Sequence, residues 1–444
     1  MAPRWLLYVT PTLAVCATAM LVLGPGRERP AIGARVWGIP APGSKAFALR
    51  IETVEREFGA DRTLPVENLT VEVSQPGKIL GSWQGSSGPD GIAEALVPLT
   101  EPLPAQTDIA ITRGKTWLAR GPIHTTVASP LAFERHAVEG ITQGDLAIRV
   151  EVDRGVLAAP FWADLVIAVS RGGEPALNAS VRGVIEGAEV GSKGPTCVTD
   201  GKGKCTLQIR PMWHAVDLKV QAESDTDPVD TVPQAKGSWE GVLPVKPGAL
   251  WLSPDLSLVV SPVPRPRVYV SALTSAGRAA GWAVDLKRTD TGLFEAPLDA
   301  EAIKRIGATA VTVAGDPQEQ GAGTVTWPAQ GGGQVTAAPR VEMLFDGVPF
   351  AENLEKKRAG KARLASVGVV FAAGILEAVL LVLHSRAMQA ALSAHLARAS
   401  ETAEDAAAAS KMTASAATRA FTLVAAVGLV LLAFGAVAAF AMVR

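Results

Sequence analysis

The sequence predicts a mainly β protein, with tandem β-sandwiches flanked by an N-terminal transmembrane helix and a C-terminal two-helix transmembrane hairpin. Three observations carry that expectation. Residues 25–363 are filled with short alternations such as "VENLTVEVS", "DLAIRVEV", "KCTLQIR" and "RVYVSAL". This is the period-2 pattern of half-buried strands, and Gly, Pro and Asp clusters punctuate it. One strand-and-turn element recurs at a fixed spacing. Three apolar stretches bracket the β-rich region at 5–24, 364–383 and 420–443.

The first stretch, "WLLYVTPTLAVCATAMLVLG", is uncharged and has about the ~20 residues that a helix needs to cross a bilayer. Ala17-Thr18-Ala19 also fits a signal-peptidase site, and "LAVC" at 13–16 a lipoprotein box, though Val15 suits that box poorly. The anchor reading is carried forward because apolar residues continue past both points. The domain map is then a short flank at 1–4, a membrane helix or signal anchor at 5–24 and a linker at 25–44. Sandwiches follow at 45–126, 145–232 and 247–345, then a basic juxtamembrane segment at 346–363. A membrane helix at 364–383, an Ala-rich helical hairpin at 384–419 and a last membrane helix at 420–443 complete it.

The recurring element joins "LPVENLTVEVSQPG…SSGPDGIAEALV" from Leu64 to "EPALNASVRGVIEG…TCVTDGKGKCTLQI" from Glu174. Pro65 aligns with Pro175, Asn68 with Asn178, Val71 with Val181 and Asp90-Gly91 with Asp200-Gly201, each pair offset by 110 positions. A looser third copy runs over residues 270–298. Asn68-Leu-Thr70 and Asn178-Ala-Ser180 match the glycosylation sequon. In an Ala-rich chain of bacterial composition they read as hairpin residues. The element resembles the hairpins of bacterial immunoglobulin-like domains, above all the macroglobulin-type and carboxypeptidase-regulatory-like sandwiches of surface proteins. That resemblance implies an extracytoplasmic binding or spacing role. Macroglobulin protease traps carry a Cys-Gly-Glu-Gln thioester, which this sequence lacks, so trapping chemistry is not implied.

Three cysteines are too few for a disulfide-built scaffold or a Cys-rich zinc module. Cys197 and Cys205 flank Thr199–Gly203. If these five residues form the loop of a hairpin, the two cysteines face each other within bridging range. A four-residue loop over 200–203 would instead send them to opposite faces. A bridge closing so short a loop contributes about 2.5 kcal/mol on the chain-entropy model. Subtracting 110 places Ser87 and Ala95 at the equivalent positions of the first copy, so the fold itself does not need the bridge.

The segment 384–419 is dominated by Ala with Leu, Gln, Glu, Arg and Lys, all strong helix formers, and contains no Gly or Pro. It reads as two helical arms turning near Ser400–Thr402, where Thr402-Ala-Glu-Asp405 resembles a capping box. Gly368, Ala372, Gly428 and Gly435 are small enough for close helix packing, and would also permit a homo-oligomer through the membrane helices. Glu377 is the one ionisable residue well inside a membrane stretch and is the intramembrane functional candidate. His384 lies one heptad later on the same face. The bland reading of Glu377 is a protonated or snorkelling side chain.

No catalytic, cofactor-binding or metal-binding signature is present. His-Glu-x-x-His, Gly-x-Ser-x-Gly and the phosphate-binding Gly-x-x-x-x-Gly-Lys are all missing. The five histidines are scattered, and Gly331-Gly332-Gly333 lacks the strand–helix setting of a nucleotide loop. A formal net charge of −1 gives no electrostatic basis for nucleic-acid binding. Trp83, Trp162, Trp213 and Trp282 are expected in sandwich cores; exposed, they would stack on sugars or anchor a partner. The expected partners are the lipid bilayer and unidentified envelope proteins, with no cofactor and no enzymatic activity. The expected location is a bacterial inner membrane, multi-pass, with the β-region outside the cytoplasm. Lys356, Lys357, Arg358, Lys361 and Arg363 count against that orientation under the positive-inside rule, but long domains translocate largely regardless of charge. The second reading is a sensor or transporter accessory subunit coupled through the C-terminal hairpin.

Overall fold

The computed structural model describes residues 6–125, 130–224, 234–399 and 428. The chain divides into two compact units. One comprises Met1–Ala31, Glu57–Gly59 and Ala351–Arg444, and the other Ile32–Arg56 and Ala60–Phe350. The fold is mainly β, with a long apolar helix towards the C-terminus.

The β unit holds three sandwiches. In the first, one sheet runs Ala60–Thr63, Ala46–Glu57, Ala31–Gly38 and Glu342–Asp346, with Ile92–Pro98 also paired to Ala46–Glu57. The facing sheet runs Lys78–Gly85, Leu69–Gln75, Gln106–Arg113 and Thr116–His124. The alternation in "LTVEV" works as period 2 requires: Leu69, Val71 and Val73 are fully buried and meet Phe47, Leu49, Ile51, Ile109 and Ile111 in one core. The second sandwich packs Leu146–Val152, Ala163–Arg171, Lys204–Pro211 and Ala188–Val190 against a sheet running Ile141–Gly144, Ala235–Lys246, Ala215–Ser224, Ser180–Glu186 and Thr196–Val198. The third sets Trp251–Leu252, Leu258–Ser261, Phe294–Pro297 and Lys287–Arg288 against Gly277–Asp285, Arg267–Thr274, Ala310–Ala314 and Val325–Pro328, with Trp327 in its core. A short helix, Ala300–Arg305, interrupts the third. Asp299 caps it by accepting from the Ala302 N–H at 2.9 Å.

Two domain boundaries differ from the sequence expectation. The supposed linker at 25–44 contains the strand Ala31–Gly38, and its partner Glu342–Asp346 comes from the end of the β-region. The strand pair closes a circuit, so the first sandwich is completed by residues assigned to the third and to the juxtamembrane segment. Close approach explains the flanking glycines. A Cβ on Gly33 would fall 2.7 Å from the Val348 Cα, and one on Gly347 would fall 2.7 Å from the Ala34 carbonyl oxygen. The connecting segments pair as well, Ala132–Glu134 with Gln334–Ala337.

The 110-residue offset holds in part. Asn68 and Asn178 both take the left-handed conformation, at φ 57° and 52°, which asparagine tolerates best after glycine. At the following turn the offset becomes 112. The Gly91 carbonyl accepts from Thr53 N–H and the Gly203 carbonyl from Val169 N–H, both at 2.8 Å. Gly91 N–H and Gly203 N–H in turn reach back to the carbonyls of Gly88 and Asp200. Asp200 therefore corresponds to Gly88, and the alignment of Asp90 with Asp200 is corrected. The two aspartates also do different work. Asp200 accepts from the backbone of Lys204 and Lys202, and these bonds hold its pKa below the usual value. Asp90 reaches out of its own sandwich to the third, taking bonds from Arg267 Nη1 at 2.7 Å and the Tyr269 hydroxyl at 2.6 Å.

That contact is the rim of a buried ionic cluster between the first and third sandwiches. Arg50 and Glu94 are directly opposed on adjacent strands, with Arg50 Nε 2.5 Å from Glu94 Oε1. The other Glu94 oxygen lies 2.5 Å from Arg278 Nη2 of the third sandwich. Arg50 Nη1 also donates to Glu319 at 3.0 Å and to the Pro317 carbonyl at 2.6 Å. Ser271 ties Glu319 to Arg278 through its hydroxyl, and the Tyr269 ring lies 5.1 Å beneath the Arg50 guanidinium. Both arginine side chains have no solvent exposure. Burial alone would lower the Arg50 pKa, but the charges of Glu94 and Glu319 outweigh it and hold the pKa above its ordinary value. Gly281 makes room for the reach of Arg278, since a Cβ there would sit 1.8 Å from Arg278 Nη2. Glu319 is delivered at φ 59° by the loop "GDPQEQG". The Asp316 carboxylate organises that loop by accepting from the backbone N–H groups of Gln318, Gln320 and Gly321.

The second sandwich is joined to the third differently. Arg154 lies 4.5 Å over the Trp327 ring and donates to the Leu252 carbonyl, and Phe161 stacks on Trp251 at 5.2 Å. Burial lowers the Arg154 pKa to about 10.

In the other unit, the helix Val348–Ala399 runs unbroken through the expected boundaries at 363 and 383. The turn near Ser400–Thr402, the segment 420–443 and Gly435 lie outside the described residues.

Removing one member of a buried charge cluster leaves the others uncompensated, which costs about 3–5 kcal/mol. Glu94→Gln should therefore destabilise the β-region by that amount in denaturant unfolding of the full-length chain. Glu240→Gln, which breaks the exposed pair with Lys219, should cost less than about 1 kcal/mol. Equal effects would show that the cluster does not hold the sandwiches.

Candidate functional site

Two apolar helices of the smaller unit form the first candidate site. One helix within Val348–His395 is long and apolar enough to cross a membrane; the apolar stretch Val9–Leu23 of the N-terminal helix Leu6–Leu23 is shorter. Arg363 fastens the two, its Nε donating to the Gly26 carbonyl at 3.0 Å and its Nη2 lying 3.2 Å from Glu28. Beyond that clasp the helices line a groove of about 450 Å³. Its walls include Thr18, Ala19 and Val22 on one side and Val370, Gly374 and Glu377 on the other. Glu377 Oε2 and Thr18 Oγ1 are the polar atoms that matter, since neither has a hydrogen-bond partner among the described residues. An unpartnered carboxylate on an apolar wall is costly while ionised, so it can take up a proton or a hydrogen-bond donor from outside the groove.

The small residues Gly368 and Ala372 do not line the groove against the N-terminal helix, and the 420–443 helix expected to pack on them lies, Gly428 apart, outside the described residues. A Cβ on Gly368 would meet nothing within 4 Å, and Ala372 is exposed. Ala373 and Gly374, one and two positions on, line the groove instead. Gly428 is described as helical, but the residues on either side of it lie outside the described residues.

The structure joins Cys197 and Cys205, with Cα atoms 5.9 Å apart, by a route the hairpin reading did not contain. Cys197 lies in Thr196–Val198, paired to Ser180–Glu186. Cys205 lies in Lys204–Pro211 of the facing sheet, paired to Ala163–Arg171. The turn 199–203 carries the chain from one sheet to the other, and the bridge links the two sheets across the edge of the core. Register corrects the equivalence too. Cys197 opposes Val181 as Trp83 opposes Val71, so an aromatic side chain occupies the cysteine's place in the first sandwich, rather than Ser87.

Of the four tryptophans, Trp83 and Trp282 pack partly buried against the first and third cores. Trp213 is 70% exposed and Trp162 is 41% exposed, the latter under the Arg210 guanidinium at 5.2 Å. Sequence reasoning missed one further grouping. His136 and His214, remote in sequence, share a cavity of about 520 Å³ with Glu139 and Gln334. His136 Nε2 is 2.9 Å from Glu134. Among the described residues no three His, Cys, Asp or Glu side chains are placed to hold a metal.

No protein-family model and no curated protein sequence matches the chain. Among solved structures it is similar to invasin, a bacterial integrin-binding protein, at 11% identity, over 64% of this chain and 56% of that one, with a TM-score of 0.17. It is similar to Salmonella alpha-2-macroglobulin at 13% identity, over 68% of this chain and 24% of that one, TM-score 0.17. It also resembles the D0-D1 domain of intimin at 14% identity, over 46% of this chain and 96% of that one, TM-score 0.14. The chain thus spans just over half of invasin and about a quarter of the macroglobulin. At these scores none of them assigns it a family or an activity.

An accessible, reduced pair would contradict the cross-sheet bridge. In protein taken from native membranes without reductant and unfolded in detergent, Cys197 and Cys205 should resist thiol labelling until dithiothreitol is added, while Cys16, a free thiol, labels without it. Full labelling of both before reduction would remove the bridge.

Proposed function

We propose that this chain is a membrane-anchored protein whose β-region lies outside the cytoplasm of a bacterial inner membrane. There it binds another envelope protein or spaces the components of an envelope assembly. Its role in this reading is binding, not catalysis. The observation that carries the reading is the closure of three sandwiches into one circuit by Glu342–Asp346, a strand followed after a single glycine by the long apolar helix. A body held by a buried ionic cluster and attached at its closing strand suits a spacer or a docking platform. The sheet-to-sheet disulfide adds support, because such bonds persist in oxidising compartments. Trp213 and Trp162 supply exposed aromatic anchors of the type that dominate protein interfaces.

A second reading has its own observation, the unpartnered Glu377 and Thr18 oxygens facing one groove. It makes the chain a sensor or transporter accessory subunit. Complementation of a deletion strain by Glu377→Gln separates the two: full under the first reading, lost under the second.

Orientation tests the first reading directly. In a Cys16→Ser background, Glu101→Cys on the first sandwich should react with a membrane-impermeant maleimide in cells with a permeabilised outer membrane. Arg398→Cys, in the last turn of the long helix and past its apolar stretch, should react only after lysis. The reverse pattern would leave an intracellular membrane scaffold as the better account.

A further inference from the structure

The N-terminal helix ends at the level where the apolar stretch of the long helix begins, and that level is crowded with positive charge. Arg27 and Arg29 follow the N-terminal helix directly, while Lys356, Lys357, Arg358, Lys361 and Arg363 occupy the turns of the long helix just before its apolar stretch. They belong to one compact unit. The Arg363 clasp to Gly26 and Glu28 brings the two groups together, because it fixes the turn carrying Arg27 and Arg29 against the long helix. Seven basic residues thus gather against three acidic ones, Glu28, Glu352 and Glu355, a net charge of +4 by that count. The acidic residues are already engaged: Glu352 with Lys356 at 2.7 Å, Glu355 with Arg358 at 2.8 Å and Glu28 with Arg363. Arg27, Arg29, Lys357 and Lys361 are left with no ion-pair partner among the described residues, and Arg27, Arg29, Lys357 and Lys361 are exposed.

We propose that this basic collar is a binding site for the headgroups of anionic phospholipids, set where the helices enter the bilayer. The proposal rests on the membrane-anchor reading above. Depth supports it. The apolar residues 364–383 start immediately after Arg363 and end just before His384, and 20 helical residues rise about 30 Å, the thickness of the hydrocarbon core. Charges at the first residue before that stretch lie at phosphate level, where lysine and arginine side chains reach headgroup oxygens with their stems still on apolar surface. Lys357 and Lys361 are one helical turn apart and share a face that points away from the Arg363 clasp, so they and the two arginines form two groups on different sides of the helix pair, each able to reach a separate headgroup. Zwitterionic lipids present no net charge to this cluster, so the collar should discriminate by lipid charge.

Native mass spectrometry of the detergent-solubilised full-length protein, titrated with phosphatidylglycerol or with phosphatidylcholine, measures that discrimination. Phosphatidylglycerol should bind at least about tenfold more tightly. The variant Arg27→Gln/Arg29→Gln/Lys357→Gln/Lys361→Gln should lose the preference and keep its phosphatidylcholine binding. The variant Arg386→Gln/Arg398→Gln, altered at the other end of the apolar stretch, should retain it. In the wild type, high salt should reduce the preference, which checks the charge dependence without any substitution. Equal affinity of the wild type for the two lipids, or an undiminished preference in the quadruple variant, overturns the collar while leaving the anchor standing. Failure of the wild type to enter phospholipid nanodiscs of either composition overturns the anchor, and the collar with it.

Discussion

A buried charge must be paired or it costs several kilocalories per mole. In this protein two arginines without solvent exposure, Arg50 and Arg278, share one carboxylate, Glu94. Arg50 and Glu94 belong to the first sandwich and Arg278 and Glu319 to the third, so each arginine meets a carboxylate of the other sandwich, Arg278 at Glu94 and Arg50 at Glu319. Separating them would break both crossed pairs and the Arg50 bond to the Pro317 carbonyl, and would leave Glu319 in a left-handed backbone conformation without its arginine partner. The cluster gives the interface a register as well as an attraction, since Gly281 admits the arginine at one place. Asp90, Tyr269 and Arg267 extend the same pattern to the rim.

The closing strand has the same logic at the level of the chain. A sheet edge left open at Ala31–Gly38 would expose unpaired backbone groups. Glu342–Asp346 covers it, with glycines on both sides allowing backbone to meet backbone. A small apolar cluster of Trp37, Ile39, Leu273, Ala310 and Val341 fills the space between the first and third sandwiches near that closure. Ionic cluster, apolar cluster and paired connecting strands therefore act on the same junction.

Much of this was legible in the sequence where one residue's fate depends on its immediate neighbours. Alternation identified Leu69–Gln75 and Ser180–Glu186 as strands, and Asn68 and Asn178 marked equivalent left-handed turns. Long-range pairing was not legible. Nothing in the sequence singled out Arg50 and Glu94, because Glu319 and the Pro317 carbonyl that bury Arg50 lie far along the chain. The strand Ala31–Gly38 looked like a linker because its partner is at the opposite end of the β-region. The two-residue slip between Gly91 and Gly203 was hidden because "Asp-Gly" occurs in both turns at a misleading position. Glu377 could be picked out as a lone carboxylate, but Thr18, the other unpartnered oxygen of its groove, sits among residues that only the helix pairing brings near.

The central claim is that the first and third sandwiches are held as one body by the shared carboxylate. Spin labels at Glu101 in the first sandwich and Lys304 in the third, both exposed, allow their separation to be measured by pulsed electron resonance on the full-length protein. The account predicts one narrow distance distribution that broadens when Arg278→Met is introduced. A distribution already broad or bimodal in the otherwise unaltered chain, and unchanged by that substitution, would contradict it.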